Sequence, residues 1–204
     1  MNFRKKNIVA KLLILVSVTL VIVSCSTKKN NFVNRKYHNT TAKYNGYFNG
    51  NESLKAGIKK LEENHKDDFS EIIPVFKTGD LAKNQTTHPY MNKAIEKGSI
   101  VIQRHSMNIR GKEHNKWIDD NYFMIGKSYF YKGEFDEGIK TFNYIKETYK
   151  RNPLKYEAAL WLARCFSEKE DYVAAEMELD QLQTDRKFPE KLDDELAAIL
   201  ADFT

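Results

Sequence analysis

The residues best equipped for chemistry in this 204-residue chain are five histidines (His38, His65, His88, His105 and His114) and two cysteines, Cys25 and Cys165. Zinc sites draw paired ligands from one helical turn or a short knuckle. No two of these histidines are spaced for that, and there is no His-Glu-x-x-His. Glu113-His114 with His105 is the nearest approach to a cluster. No Gly-rich phosphate loop occurs, and Gly98-Ser99 lacks the context of a nucleophile elbow. The expectation is therefore a non-enzyme with no catalytic residue, no metal, no cofactor and no small-molecule substrate. Two cations stand out by position instead. Lys127 and Arg164 are 37 residues apart (164 − 127). They are candidate groove contacts for an acidic segment, or else ordinary solvent-facing bases.

That offset belongs to a larger self-match. Ile125-Gly126-Lys127-Ser128-Tyr129, then Phe135, Gly138, Phe142 and Ile145, recur as Leu162-Ala163-Arg164-Cys165-Phe166, then Tyr172, Ala175, Leu179 and Leu182. A fixed period of this size predicts stacked helical hairpins. Small residues (Gly126, Gly138, Ala163, Ala175) let backbones approach; Tyr129, Phe142, Phe166 and Leu179 fill the space around them at apolar-face spacing. Lys132-Gly133-Glu134 and Glu168-Lys169-Glu170 read as polar breaks, and Asn152-Pro153 as a helix start. The pattern resembles the tetratricopeptide repeat. The fold class expected is all-α, a tetratricopeptide-like helical-hairpin solenoid, with repeats over 119–152 and 153–189. Cys165, beside Leu162 and Phe166, reads as a small buried hydrophobe.

Upstream, residues 36–118 read as a degenerate repeat-like region. Placing Asn45 against Gly126 aligns Tyr44, Phe48, Leu54, Gly57 and Leu61 with Ile125, Tyr129, Phe135, Gly138 and Phe142. His88–Met107 is predicted as one helix with Ile95, Ile102 and His105 inward, and Asp67–Thr87 as a loop carrying the apolar cluster Ile72-Ile73-Pro74-Val75-Phe76. Downstream, Leu192, Leu196, Leu200 and Phe203 mark the first helix of a further repeat over 190–204. Because it has no partner helix, the chain is expected to be a piece of a longer protein.

Residues 1–24 read as a signal peptide: Arg4, Lys5, Lys6 and Lys11 precede an apolar run, Leu12–Val23, that is short for a bilayer span. It ends Ile22-Val23-Ser24-Cys25, which resembles a bacterial lipobox. In that chemistry the Cys25 thiol takes a diacylglycerol and becomes the first residue of the mature chain. Residues 25–35 are then a tether, and the covalent lipid a membrane anchor. Without the leader, 29 Lys+Arg (33 − 4) face 28 Asp+Glu, so the basic pI offers no support for a nucleic-acid partner. The balance is uneven: residues 25–118 carry 17 basic and 9 acidic side chains, residues 119–204 carry 12 and 19.

One stretch is more specific than the repeat. His38-Asn39-Thr40-Thr41-Ala42-Lys43-Tyr44-Asn45-Gly46-Tyr47-Phe48-Asn49 resembles the opening of the SprE/PorW lipoproteins of the type IX secretion system and gliding motility. The resemblance continues through Ile72–Lys77, Lys93–Lys97, Val101–Ser106, Gly111–Glu113, Asn115–Asp120 and Gly126–Gly133. It implies a longer outer-membrane lipoprotein facing the periplasm, whose repeats bind protein subunits of the secretion and motility machinery. Ser26, where an aspartate would signal inner-membrane retention, agrees with that location. Two alternatives are a repeat lipoprotein of outer-membrane protein assembly and a glycan-binding nutrient-uptake lipoprotein.

Overall fold

The computed structural model describes residues 26–66, 69–70, 75–76, 81 and 85–203, together with Lys11. Cys25, almost all of the 1–24 leader and most of the Asp67–Thr87 segment lie outside the described residues.

The described chain is all-α apart from one small hairpin. Helix α1 spans Phe32–Thr41, passes through a π-helical segment, Ala42–Tyr47, and continues as α2, Phe48–Asn64. A 3-10 turn, Gln85–Thr87, leads into α3, His88–His105. Strands β1 (Asn108–Ile109) and β2 (Lys112–Glu113) pair antiparallel, Asn108 opposite Glu113. Their turn uses φ of 55° at Arg110 and 76° at Gly111, the left-handed pair that matches strand twist. Then come α4 (Ile118–Tyr131), α5 (Phe135–Thr148), α6 (Leu154–Glu168), α7 (Tyr172–Thr184), a 3-10 turn at Glu190–Leu192 and α8 (Asp193–Phe203). Helices α2 to α7 pack chiefly on their sequence neighbours, while α8 packs on α6, which also touches α4.

The expected hairpins are α4/α5 and α6/α7. Gly126 and Gly138 sit where backbones close up: a Cβ on Gly126 would stand 2.7 Å from the Phe142 ring, and one on Gly138 3.1 Å from Cys165 Sγ. Phe142, Ala163, Ala175 and Leu179 are buried, and Tyr129 and Phe166 half-buried. Pro153 takes the N-cap position of α6 rather than its first turn, and Asn152 Oδ1 just before it accepts the Leu154 amide at 3.0 Å.

Three expectations change upstream. The residues aligned as a degenerate hairpin, 44–61, lie in one unbroken helical run, and Asn45 faces solvent. The inner face follows a stride of four, Asn34, His38, Ala42, Gly46, Gly50 and Leu54. In a regular α-helix a stride of four overshoots a turn by about 40°, so five steps would carry the line roughly 200° round the axis. The wider π turn takes up part of that drift, and Gly46 lies where a Cβ would strike Val101. On α3 the fully buried positions are Met91, Ala94, Gly98 and Val101, while the expected Ile95, Ile102 and His105 lie one step round and are half-buried. The reason is that α2 and α4 close on the first line, where a Cβ on Gly98 would stand 2.8 Å from Ile125. The expected tether is partly helix, since α1 begins at Phe32.

Candidate functional site

Two places concentrate polar chemistry. The first is the inner face formed by α4, α6 and the start of α8. Trp161 lies at its centre, 4% exposed, with Lys127 Nζ 4.6 Å from its ring centroid and the Arg164 guanidinium 4.3 Å from it. Arg164 also lies 3.9 Å from the Phe76 ring and 4.7 Å from Phe130, so its planar group is packed between aromatic rings. Glu157 and Glu195 supply the counter-charge. Burial pushes the Lys127 ammonium below its ordinary pKa while the Glu195 carboxylate pulls it back up. Burial likewise raises the Glu195 carboxyl, opposed by Lys127.

Both sequence-predicted groove cations are thus on one face, brought there by the 37-residue repeat. Arg164 is 7% exposed, and it is covered by the chain itself. Phe76 stacks on it, the Val75 amide donates to Asp202 Oδ1 of α8 at 2.9 Å, and Leu81 is buried nearby in the core with Trp161 and Phe130. The space left beside Phe76, Arg164 and Ile199 is about 20 Å³, room for about one water and not for a partner's side chain. Cys165, behind this face, is fully buried, and burial pushes its thiol up to about 12, far from nucleophilic use.

The second place is a node joining α1, the end of α3 and the β-hairpin. His38 Nδ1 and His105 Nδ1 are 2.9 Å apart, one sharing a proton with the other, and burial holds His105 below its ordinary pKa with His38 and Arg104 adding to it. Asn115 Nδ2 donates to the His105 carbonyl at 2.8 Å and to that of His38 at 3.3 Å. Asn39 Oδ1 accepts the Lys116 amide at 2.8 Å. The Glu113 carboxylate ties the loop shut, accepting Ser106 Oγ at 2.6 Å and the amides of Met107 and Asn115 at 2.8 Å. Among the described residues no group of three or more His, Cys, Asp or Glu is placed to hold a metal ion.

Sequence reasoning missed this node. His105 had been grouped with Glu113-His114, but its partner is His38, 67 residues away. A cleft of about 540 Å³ beside the node, lined by Tyr122, Tyr144, Tyr149, Glu147 and Arg151, was also missed. Its tyrosines pack on one another, Tyr122 and Tyr144 with ring centroids 4.6 Å apart. Among the described residues no helix is long and apolar enough to cross a membrane. No protein-family model matches the chain, and a search of curated proteins finds no match.

Proposed function

We propose that the chain is a non-enzymatic scaffold lipoprotein, anchored in the outer membrane through a lipid on Cys25, that binds protein subunits of the type IX secretion and gliding apparatus from the periplasmic side. The observation that carries the scaffold part is the recurrence of one hairpin. In α4/α5 the Glu134 amide bonds the Tyr129 carbonyl at 2.9 Å; in α6/α7 the Asp171 amide bonds that of Phe166 at 3.0 Å, each 37 residues on. Hairpins repeated at one fixed offset are the units from which helical solenoids are built, and the extended faces of a solenoid serve partners rather than substrates.

The machine is proposed from the SprE/PorW resemblance. Its support is that residues scattered through the resembling segments, His38, Asn39, His105, Ser106, Glu113 and Asn115, belong to a single hydrogen-bonded node. Crosslinking in native membranes followed by affinity purification of the full-length protein tests the reading. Secretion and motility subunits should copurify. Recovery of the barrel-assembly machinery alone would favour the assembly alternative, and saccharide binding by the purified protein the uptake one.

A further inference from the structure

Helix α1, the turn after it and the first residue of α2 expose five large apolar side chains in 17 residues (32–48). Phe32 is 73% exposed, Val33 58%, Tyr37 43%, Tyr44 60% and Phe48 55%. Val33, Tyr37, Tyr44 and Phe48 recur at steps of four and seven residues, so they form one stripe rather than scattered singles, with Tyr37 at its inner edge beside His38. The π turn that keeps the inner face in line keeps this outer stripe in line as well.

The charge around the stripe has one sign. Lys28, Lys29, Arg35 and Lys36 are exposed beside it, and the sequence contains no Asp or Glu before Glu52. Beyond that point the same face turns mixed: Glu52 pairs with Lys55 at 3.1 Å and Lys59 with Glu63 at 3.7 Å. The apolar, basic part is therefore confined to the end nearest Cys25.

The attachment leaves little slack. Asn34 Nδ2 donates to the Ser26 carbonyl at 2.7 Å and to that of Lys29 at 3.1 Å, folding residues 26–29 back onto the first turn of α1. Cys25 is bonded directly to Ser26, so whatever Cys25 enters must lie beside α1.

We propose that this face of α1 and the first turn of α2 lies in the headgroup region of a phospholipid bilayer bearing anionic lipid. The aromatic and aliphatic side chains enter the interface, the lysines and arginines reach anionic headgroups, and the helix axis runs along the surface. The repeat hairpins are then held at a fixed attitude to the membrane instead of swinging on a tether. The inference rests on the membrane-anchor part of the function proposed above, not on the secretion apparatus.

The test uses the full chain with Cys25→Ser, reconstituted through its own apolar amino-terminal segment into phosphatidylcholine–phosphatidylglycerol vesicles. Single cysteines at Tyr44→Cys, Phe48→Cys and, as an exposed control on α7, Glu176→Cys carry an environment-sensitive fluorophore; Cys165 is buried and stays unlabelled. Probes at positions 44 and 48 should shift to the blue and be quenched by nitroxide-bearing lipid, while the probe at 176 does neither. A chain that floats with the vesicles but shows all three probes equally wet overturns the inference and leaves the anchor standing. A chain that does not float overturns the inference, since the face then finds no bilayer, and leaves the lipid anchor on Cys25, absent from this variant, standing. Shifts that follow protein density and ignore lipid nitroxide overturn it too, showing that a second copy covers the face.

Discussion

Gly133 and Glu170 hold the same left-handed backbone conformation, φ 78° and φ 60°, at the same place in two hairpins 37 residues apart. The turn geometry is the repeated quantity, and the residue filling it is not. A β-carbon in this conformation costs about 1 kcal/mol or more, whereas glycine adopts it freely at some cost in unfolded-chain entropy. Gly133→Ala should therefore destabilise the protein by about 1 kcal/mol. Glu170→Gly should leave stability unchanged or raise it by up to about 1 kcal/mol. Chemical denaturation of both variants checks the asymmetry.

The contact of Gly126 with Phe142 predicts a coupled pair. In the second hairpin the equivalent positions are Ala163 and Leu179, a larger residue against a smaller one. Gly126→Ala alone brings a methyl within 2.7 Å of the Phe142 ring and should cost roughly 1–3 kcal/mol by overpacking. Adding Phe142→Leu should restore part of the loss, which a double-mutant cycle reads as a coupling of opposite sign.

Glu113 predicts a hinge-like loss at the node. It gathers one hydroxyl and the amides of Met107 and Asn115 into a single carboxylate. Glu113→Ala leaves those donors unpaired and should cost about 2–3 kcal/mol. Hydrogen exchange should rise first at Met107, His114 and Asn115, before it rises in α6 or α7.

Asp120 predicts a pH dependence. Burial, then the charges of Asp119 and Glu157, raise its carboxyl from 3.8 to about 6. A folded-state value above the unfolded one means that the folded protein binds the proton more tightly. The resulting stability is fully present below about 4 and is lost as pH rises through about 6. Asp120→Asn should match the wild type in acid and become the more stable of the two above pH 6, by on the order of 1 kcal/mol after solvent screening. Thermal melts across that range decide it.

The downstream half was legible because its signals are local. Gly126, Gly138, Ala163 and Ala175 announce close helix packing at a constant offset, and Asn152-Pro153 announces a start. Upstream the signals are distributed. The π turn is written in a stride of four that runs too long for an α-helix, Asn34 to Leu54, and no single residue marks it. The His38–His105 pair joins residues 67 apart on different helices, which no spacing rule reaches. Arg164 was readable as a cation on a repeat position. That Phe76 would pack on it was not readable, because the two residues lie 88 positions apart (164 − 76) and no repeat spacing links them.

The central claim is a role as scaffold in type IX secretion and gliding, and deletion of the gene in its native host tests it most directly. Cargo export and colony spreading should be abolished, and both should return with the wild-type gene but not with a Cys25→Ala copy. Normal secretion and spreading in the deletion strain would contradict it.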